Sequence, residues 1–160
     1  MLRYQYSTEC DVNTLWKLYI DPNYATYFRH YPPFLNQPQF RSIQTKYGSL
    51  MAIYEATTKV GWVNINRQLN TGISDVSIIL FNHKQKQGYG LEIMQDIAKY
   101  LFDGDTKKIV CLTVEDDTRT NDILKQGGFT KECVIPESCK YNDKYHNEIR
   151  WSLKKENYNA

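Results

Sequence analysis

The sequence predicts an α+β domain: one mixed, mostly antiparallel twisted sheet with helices on both of its faces. Three observations predict it. Strand-forming runs separated by short turns fill the stretch from 50 to 81, a long amphipathic helix follows from 88 to 102, and a compact β-branched run comes directly after it. A helix that links two strands of one sheet brings the second back parallel to the first, so the segments on either side of 88–102 form a parallel pair within an otherwise antiparallel arrangement.

From the N-terminus, Leu2 to Tyr6 reads as a short strand, and Asp11 as the N-cap of a helix whose apolar face is Val12, Leu15, Trp16 and Tyr19. Asp21-Pro22-Asn23 ends that helix. The Tyr- and Pro-rich stretch from Tyr24 to Pro38 has no clear period, and Pro32, Pro33 and Pro38 leave room only for a short helix around Gln39 to Tyr47. Leu50 to Glu55 and Val60 to Asn66 are strand formers joined by a tight hairpin at Thr57-Thr58-Lys59. Asn70-Thr71-Gly72 turns the chain again into Ile73 to Phe81, which completes an antiparallel meander. In the helix from Gly88 to Phe102, Leu91, Met94, Ile97, Ala98 and Leu101 share one face, opposite Glu92, Asp96 and Lys99. Lys108 to Val114 is the β-branched strand, and Thr118 to Gln126 a short helix closed by Gly127-Gly128. Phe129 to Ile135 and Glu148 to Leu153 are the last strands, with Tyr141-Asn142-Asp143-Lys144 in the connection.

At 160 residues with a 41% hydrophobic share, the chain suits a single globular domain spanning 1–160 with a full core. It contains no repeat and no low-complexity linker. No apolar run approaches the roughly 20 residues a membrane span needs, and Met1-Leu2-Arg3-Tyr4 does not begin a signal peptide, so a cytoplasmic protein without membrane partners is expected. A net charge of +2 with scattered Lys and Arg argues against nucleic acid. Cys10, Cys111, Cys133 and Cys139 show no metal-ligand spacing, and His30, His83 and His146 are dispersed, so reduced thiols and no metal are expected. The 13 tyrosines suit half-buried strands and groove walls.

The segment Asn82-His83-Lys84-Gln85-Lys86-Gln87-Gly88-Tyr89-Gly90 lies between a strand and a helix. Free backbone N–H groups and the positive end of the dipole make a helix N-terminus an anion site. Gly88 and Gly90 let a phosphate approach the backbone, and Lys84 and Lys86 add charge. It is not a P-loop, and Ile93 stands where a dinucleotide fingerprint needs its third glycine. Two glycines opening a helix also serve plain backbone geometry.

Gln85-Lys86-Gln87-Gly88-Tyr89-Gly90 resembles the Q/R-x-x-G-x-G/A motif of the GNAT superfamily of N-acetyltransferases, with that family's apolar strand before it and amphipathic helix after it. Thr120 to Phe129 looks like the family's short helix ending in Gly-Phe, and Lys140 to Leu153 resembles the closing hairpin of the branch that acetylates ribosomal-protein N-termini, polyamines or amino-sugars. The resemblance implies the acyl-CoA N-acyltransferase fold, splayed at its parallel strand pair, and acetyl-CoA as cosubstrate. It implies that the backbone of Gln85, Lys86, Gln87, Gly88, Tyr89 and Gly90 holds the pyrophosphate. The strand end at Ile79 and Leu80 would pair with the pantetheine arm, a backbone N–H there polarising the thioester carbonyl.

The implied reaction is direct attack of a neutral amine on the thioester. The acceptor would be a small-molecule amine or a peptide N-terminus, the polyamine or amino-sugar type being favoured; a non-catalytic acyl-CoA-binding module is the alternative. Exposed sheet edges suit a homodimer. The chain departs from the family where a tyrosine acid is usual, having Leu124, and it has Asp117 and Asn147 for the usual asparagine and aspartate. Candidates for proton transfer are therefore Asp75, on the strand leading to the site, Glu115, after its partner strand, and Tyr141 in the tail. The two carboxylates are equally explained as solvated strand ends. Tyr141, Tyr145 and His146 can line the acceptor groove or serve structure, and so can Tyr24, Tyr27 and Tyr31.

Overall fold

The computed structural model describes residues 1–46 and 49–159. A seven-stranded sheet runs in the order β1-β2-β3-β4-β5-β7-β6, built from β1 (Leu2–Tyr6), β2 (Ser49–Glu55), β3 (Thr58–Gln68), β4 (Ile73–Leu80), β5 (Lys108–Val114), β6 (Thr130–Tyr141) and β7 (Lys144–Lys154). Helices α1 (Glu9–Tyr19) and α2 (Gln37–Lys46) flank a 3-10 helix at Pro22–Phe28, and α3 (Tyr89–Phe102) and α4 (Thr118–Gln126) follow β4 and β5. Every strand pairing is antiparallel except β4 with β5, as the crossover through α3 requires.

Two cores cover the two faces of the sheet. On one, Ile93, Met94, Ile97, Ala98, Leu101 and Phe102 of α3 pack on Val63, Ile65, Val76, Ile109 and Trp151. Each of the larger of these side chains contributes about 1.5–3 kcal/mol by burial, against a few tenths from intrinsic helix propensity, so it is packing that holds α3 in place. On the other face, Leu15, Leu18, Tyr24, Phe28 and Phe40 close over Ala52 and Trp62. The aromatic residues of the Tyr-rich stretch therefore carry a core of their own, in which Tyr31 packs 5.3 Å from Phe28 and accepts from Gln44 Nε2 at 2.7 Å.

Several boundaries differ from the sequence reading. Thr8, not Asp11, caps α1: Asp11 sits at the third helical position and its Oδ2 accepts from the Thr8 backbone at 2.8 Å and the Thr8 hydroxyl at 3.0 Å, a reciprocal cap. Pro38 lies inside the first turn of α2, where its missing N–H costs nothing. The β2–β3 turn falls at Ala56-Thr57, with Ala56 at φ 51°, so Thr58 and Lys59 belong to β3. Tyr47 lies outside the described residues. The final hairpin is longer than expected. Asn142 and Asp143, at φ 49° and 59°, make its two-residue turn, placing Tyr141 and Lys144 in the strands. Pro136 fits within β6 because the ladder is interrupted between Ile135 and Cys139 on an edge strand.

Asp11 joins α1 to the sheet. It is 2% exposed, is ion-paired with Lys59, and accepts from Trp62 Nε1 at 3.2 Å. Burial pushes its carboxyl up, but the bonds from Lys59 and Thr8 outweigh that and hold it below the ordinary range. A depressed folded value means the stabilisation is present above the unfolded pKa of about 4 and is lost as pH falls through the folded one. Asp11→Ala is expected to lower stability by about 2–3 kcal/mol at pH 7, and the gap from wild type should shrink in acid when both are unfolded in urea.

Candidate active site

β4 and β5 pair only at Ile73 with Lys108, Ser74 with Ile109 and Asp75 with Val110. Beyond that point the two strands part, and a cavity of about 400 Å3 opens between Val76–Leu80 on one lip and Cys111–Val114 on the other. One end of the cavity is closed by the loop before α3 and by the first turn of α4.

The loop is shaped by its backbone. Lys86 and Gly88 both have positive φ, 63° and 86°, and conformations of this kind turn successive N–H groups to one side as an anion-binding nest. Gly88 occupies the N-cap of α3 and has no side chain to satisfy the N–H groups of its first turn. A Cβ at Gly88 would meet nothing within 4 Å, so the space in front of it is open. Gly90 has another reason to be glycine: a Cβ there would come within 3.0 Å of Ile123 Cδ1, so α4 packs tightly on α3 at this turn. Of the sequence-named cradle, Gln85, Lys86, Gly88, Tyr89 and Gly90 line the cavity; the Gln87 side chain turns away and donates to the His83 carbonyl at 2.8 Å. Tyr89 is buried and donates to Glu55 Oε2 at 2.5 Å, tying the head of α3 to the β2–β3 hairpin. His83 stacks on Phe81 at 5.5 Å.

Ile79 and Leu80 form the β4 lip. Val60 is an extra residue in β3, since Ile53 faces Gly61 while Tyr54 faces Lys59, and this bulge presses Gly61 against β4. A Cβ at Gly61 would lie 2.1 Å from the Ile79 carbonyl oxygen. That carbonyl thus faces β3, and in a trans peptide the Leu80 N–H of the same unit points the other way, toward the cavity.

The 3-10 helix brackets the two lips. Tyr24 Oη accepts from the Asn82 N–H at 2.9 Å and Tyr27 Oη from Gln85 Nε2 at 2.8 Å, while Gln85 Oε1 accepts from Arg119 Nη2 at 2.6 Å. On the β5 side, Arg29 Nη2 donates at 3.0 Å to the Leu112 carbonyl, which β4 no longer reaches. Arg29 Nε and His30 Nε2 both meet Glu148 Oε1 at 2.7 Å, and Ser138 donates to Glu148 Oε2 at 2.8 Å. Burial pushes the Glu148 carboxyl up, and these three partners bring it below the ordinary range.

The candidates for proton transfer lie elsewhere. Asp75 accepts from Gln68 Nε2 at 2.7 Å, at the last paired position before the splay. Glu115 accepts from Asn147 Nδ2 at 2.9 Å. Tyr141 stacks on His146 at 3.9 Å, its phenol raised first by burial and lowered by a bond with Thr26. None of the three lines the cavity. Leu124 does line it, 3% exposed, and Asp117 caps α4 through the Thr120 N–H at 3.1 Å. Among the described residues no cluster of three His, Cys, Asp or Glu could hold a metal, and no helix is long and apolar enough to cross a membrane.

The acetyltransferase (GNAT) domain family matches residues 2–130. No curated protein sequence matches the chain. Among solved structures, a spermidine N-acetyltransferase from Vibrio cholerae in complex with CoA and spermine superposes with a TM-score of 0.86 at 16% identity, over 98% of this chain and 97% of that one. A ribosomal L7/L12 α-N-protein acetyltransferase in complex with coenzyme A gives 0.75 at 16%, over 96% and 93%. A ribosomal-protein-alanine N-acetyltransferase from Brucella melitensis gives 0.76 at 9%, over 95% and 99%. At such identities the likeness is one of fold.

Gly61→Ala is expected to cost about 2–3 kcal/mol in denaturant unfolding, because backbone rather than a movable side chain opposes the new methyl.

Proposed function

Because the chain belongs to the GNAT acetyltransferase family, we propose that it uses acetyl-CoA as acyl donor and passes the acetyl group directly to a small cationic amine of the polyamine or amino-sugar type. The observation that carries the donor half is the cavity itself, which runs from the Lys84–Gly90 loop to the parted strands. A diphosphate fits the loop end, where uncapped N–H groups, Lys84, Lys86 and Arg119 supply positive charge. An extended pantetheine arm fits the parted strands, which offer unpaired backbone as a third strand would. The Leu80 N–H, turned inward by the contact between Gly61 and Ile79, is the donor suited to the thioester oxygen as charge develops there.

The acceptor half rests on the opposite wall. On the face shared with Trp62 and Ile79, Asn64 stands directly across from Ser77 and Asn66 across from Asp75, so a polar row leads along β3 and β4 to the splay. Asn64 Oδ1 is buried without a hydrogen-bond partner, and Ser77 lines the cavity. Carbonyl, hydroxyl and carboxylate oxygens in a row suit an ammonium-bearing chain better than an anionic or apolar acceptor.

An alkylamine of pKa near 10 is roughly 0.1% neutral at pH 7, so a nitrogen must shed a proton before it attacks. Asp75 serves in this reading to hold a distal ammonium rather than to take that proton, being tied to Gln68 and set back from the cavity. Holding amine and thioester together supplies much of the rate. A ribosomal-protein N-terminus, which two of the structural neighbours acetylate, is the acceptor the same test discriminates.

The test is thiol release from acetyl-CoA over a panel of spermidine, amino-sugars and N-terminal peptides. Turnover of polyamines or amino-sugars above peptides is expected, and turnover of none would contradict the proposal. Gly88→Val, which places a branched side chain in the open space before α3, is expected to weaken CoA binding by at least about tenfold in calorimetry. Asp75→Asn should raise KM for the amine by about tenfold while leaving KM for acetyl-CoA within about twofold.

A further inference from the structure

Resting on the reading that the cavity takes acetyl-CoA and a cationic amine, we propose that Arg29 keeps the attacking nitrogen uncharged. Its fixed guanidinium disfavours an ammonium at the reacting end of the acceptor, while Asp75 holds an ammonium at the other end.

Three elements hold Arg29 in place. Nη1 donates to the Thr26 carbonyl at 2.8 Å, Nη2 to the Leu112 carbonyl at 3.0 Å, and Nε to Glu148 at 2.7 Å. The Arg29 side chain is 11% exposed and lines the cavity, whereas Glu148, at 1%, does not. The positive end of the pair therefore faces the cavity, with its counter-charge behind. A guanidinium keeps its proton throughout the working range of a protein.

Leu112 lies two residues beyond Val110, as Ser77 lies two beyond Asp75, so both fall one same-face step past the last rung. Arg29 thus grips β5 at the level of Ser77, about 7 Å further along the gap than the rung of Asp75. An acceptor with two nitrogens meets an anion at Asp75 and a cation beside the gap. It then lies with its uncharged nitrogen toward the thioester. The other cations of the cavity wall, Lys84, Lys86 and Arg119, belong to the diphosphate end. The carboxylate on that wall, Asp117, is bound to the Thr120 N–H and hydroxyl at 3.1 and 2.6 Å.

The groups that face Arg29 leave its charge in place. Cys139 and Tyr141 of β6 are both raised first by burial, which keeps thiol and phenol neutral. His30, half exposed, meets the same Glu148 oxygen at 2.7 Å. The transfer needs no further reactant. The ammonium yields one proton to solvent, and the nitrogen lone pair forms the C–N bond. The C–S bond breaks with its electron pair on sulfur, which takes up one proton as nitrogen releases its second.

The test is the rate of the transfer step by rapid quench, at saturating acetyl-CoA and amine, from about pH 6 to about pH 10. It uses two acceptors that wild type turns over and that differ in basicity. The acid limb is expected about one unit below each amine's own pKa, following the change of amine. Arg29→Gln should return the limb to the free amine's value. That cuts the rate at pH 7 by about tenfold and leaves the high-pH plateau within about threefold. Glu148→Gln, which strips the guanidinium of its counter-charge, should move the limb the opposite way, to lower pH. Should a single variant fail to fold, Arg29→Gln combined with Glu148→Gln removes both charges and should again return the limb to the amine's value. A limb that ignores the amine, that stays in place when Arg29 is replaced, or that moves the same way in both single variants overturns the assignment and leaves the acetyltransferase reading intact. A wild-type protein that acetylates no amine overturns that reading, and this one with it.

Discussion

After Asp75 and Val110 the parallel ladder between β4 and β5 stops, and most of what the molecule can do follows from that gap. A buried strand edge without partners is costly, because each backbone N–H or C=O needs a hydrogen bond. Here the 3-10 helix and its C-cap residue supply two: Tyr24 answers the start of the following loop, and Arg29 answers Leu112 on the far lip. The gap is thus a built feature with its own supports, and a ligand that offers amide groups along its length can take their place at little cost.

Rigidity around the gap comes from long-range polar ties rather than from the loops themselves. Glu148, 1% exposed, holds Arg29 and His30 against β7 and so fixes the end of the 3-10 helix that spans the lips. Removing one partner of such a buried group would leave charge without compensation, so the cluster holds together as a unit. On the opposite face, Tyr89 to Glu55 and Tyr4 to Asp96 at 2.7 Å fasten α3 to the first hairpin and the first strand. Helix α3 then presents its N-terminus in one orientation, as a phosphate site requires.

The sequence made some of this legible and concealed the rest for physical reasons. Local signals carried the strands around 50–81, helix α3 with its glycine loop, and the parallel return of β5, because hydrophobic period and turn residues act over a few positions. The Thr8 cap was missed although Thr8-x-x-Asp11 is a capping-box spacing, since Asp11 alone is also a good N-cap. The extension of β6 and β7 was hidden by Pro136 and by Asn142-Asp143, which read as a longer connection. At the site, the glycine loop between β4 and α3 was legible as an element, whereas Arg29 with Glu148, 119 positions apart, left no local trace. Gly61 did leave one, as a glycine within a strand run marks a bulge or a close approach. Asp75, Glu115 and Tyr141 were plausible by type and position, and the fold sets all three outside the cavity wall.

A gap in a sheet, a helix end and a polar row on one face are the features through which the proposed reading brings a thioester to an amine, in a chain of the GNAT acetyltransferase family. The claim on which this account rests is that CoA lies in the gap, its diphosphate at the head of α3 and its arm against β4. Backbone amide NMR during a CoA titration examines it most directly. The account predicts the largest shifts at Gly88, Tyr89, Gly90 and Leu80, saturating together; shifts confined to other surfaces, or a Leu80 amide indifferent to the ligand, would contradict it.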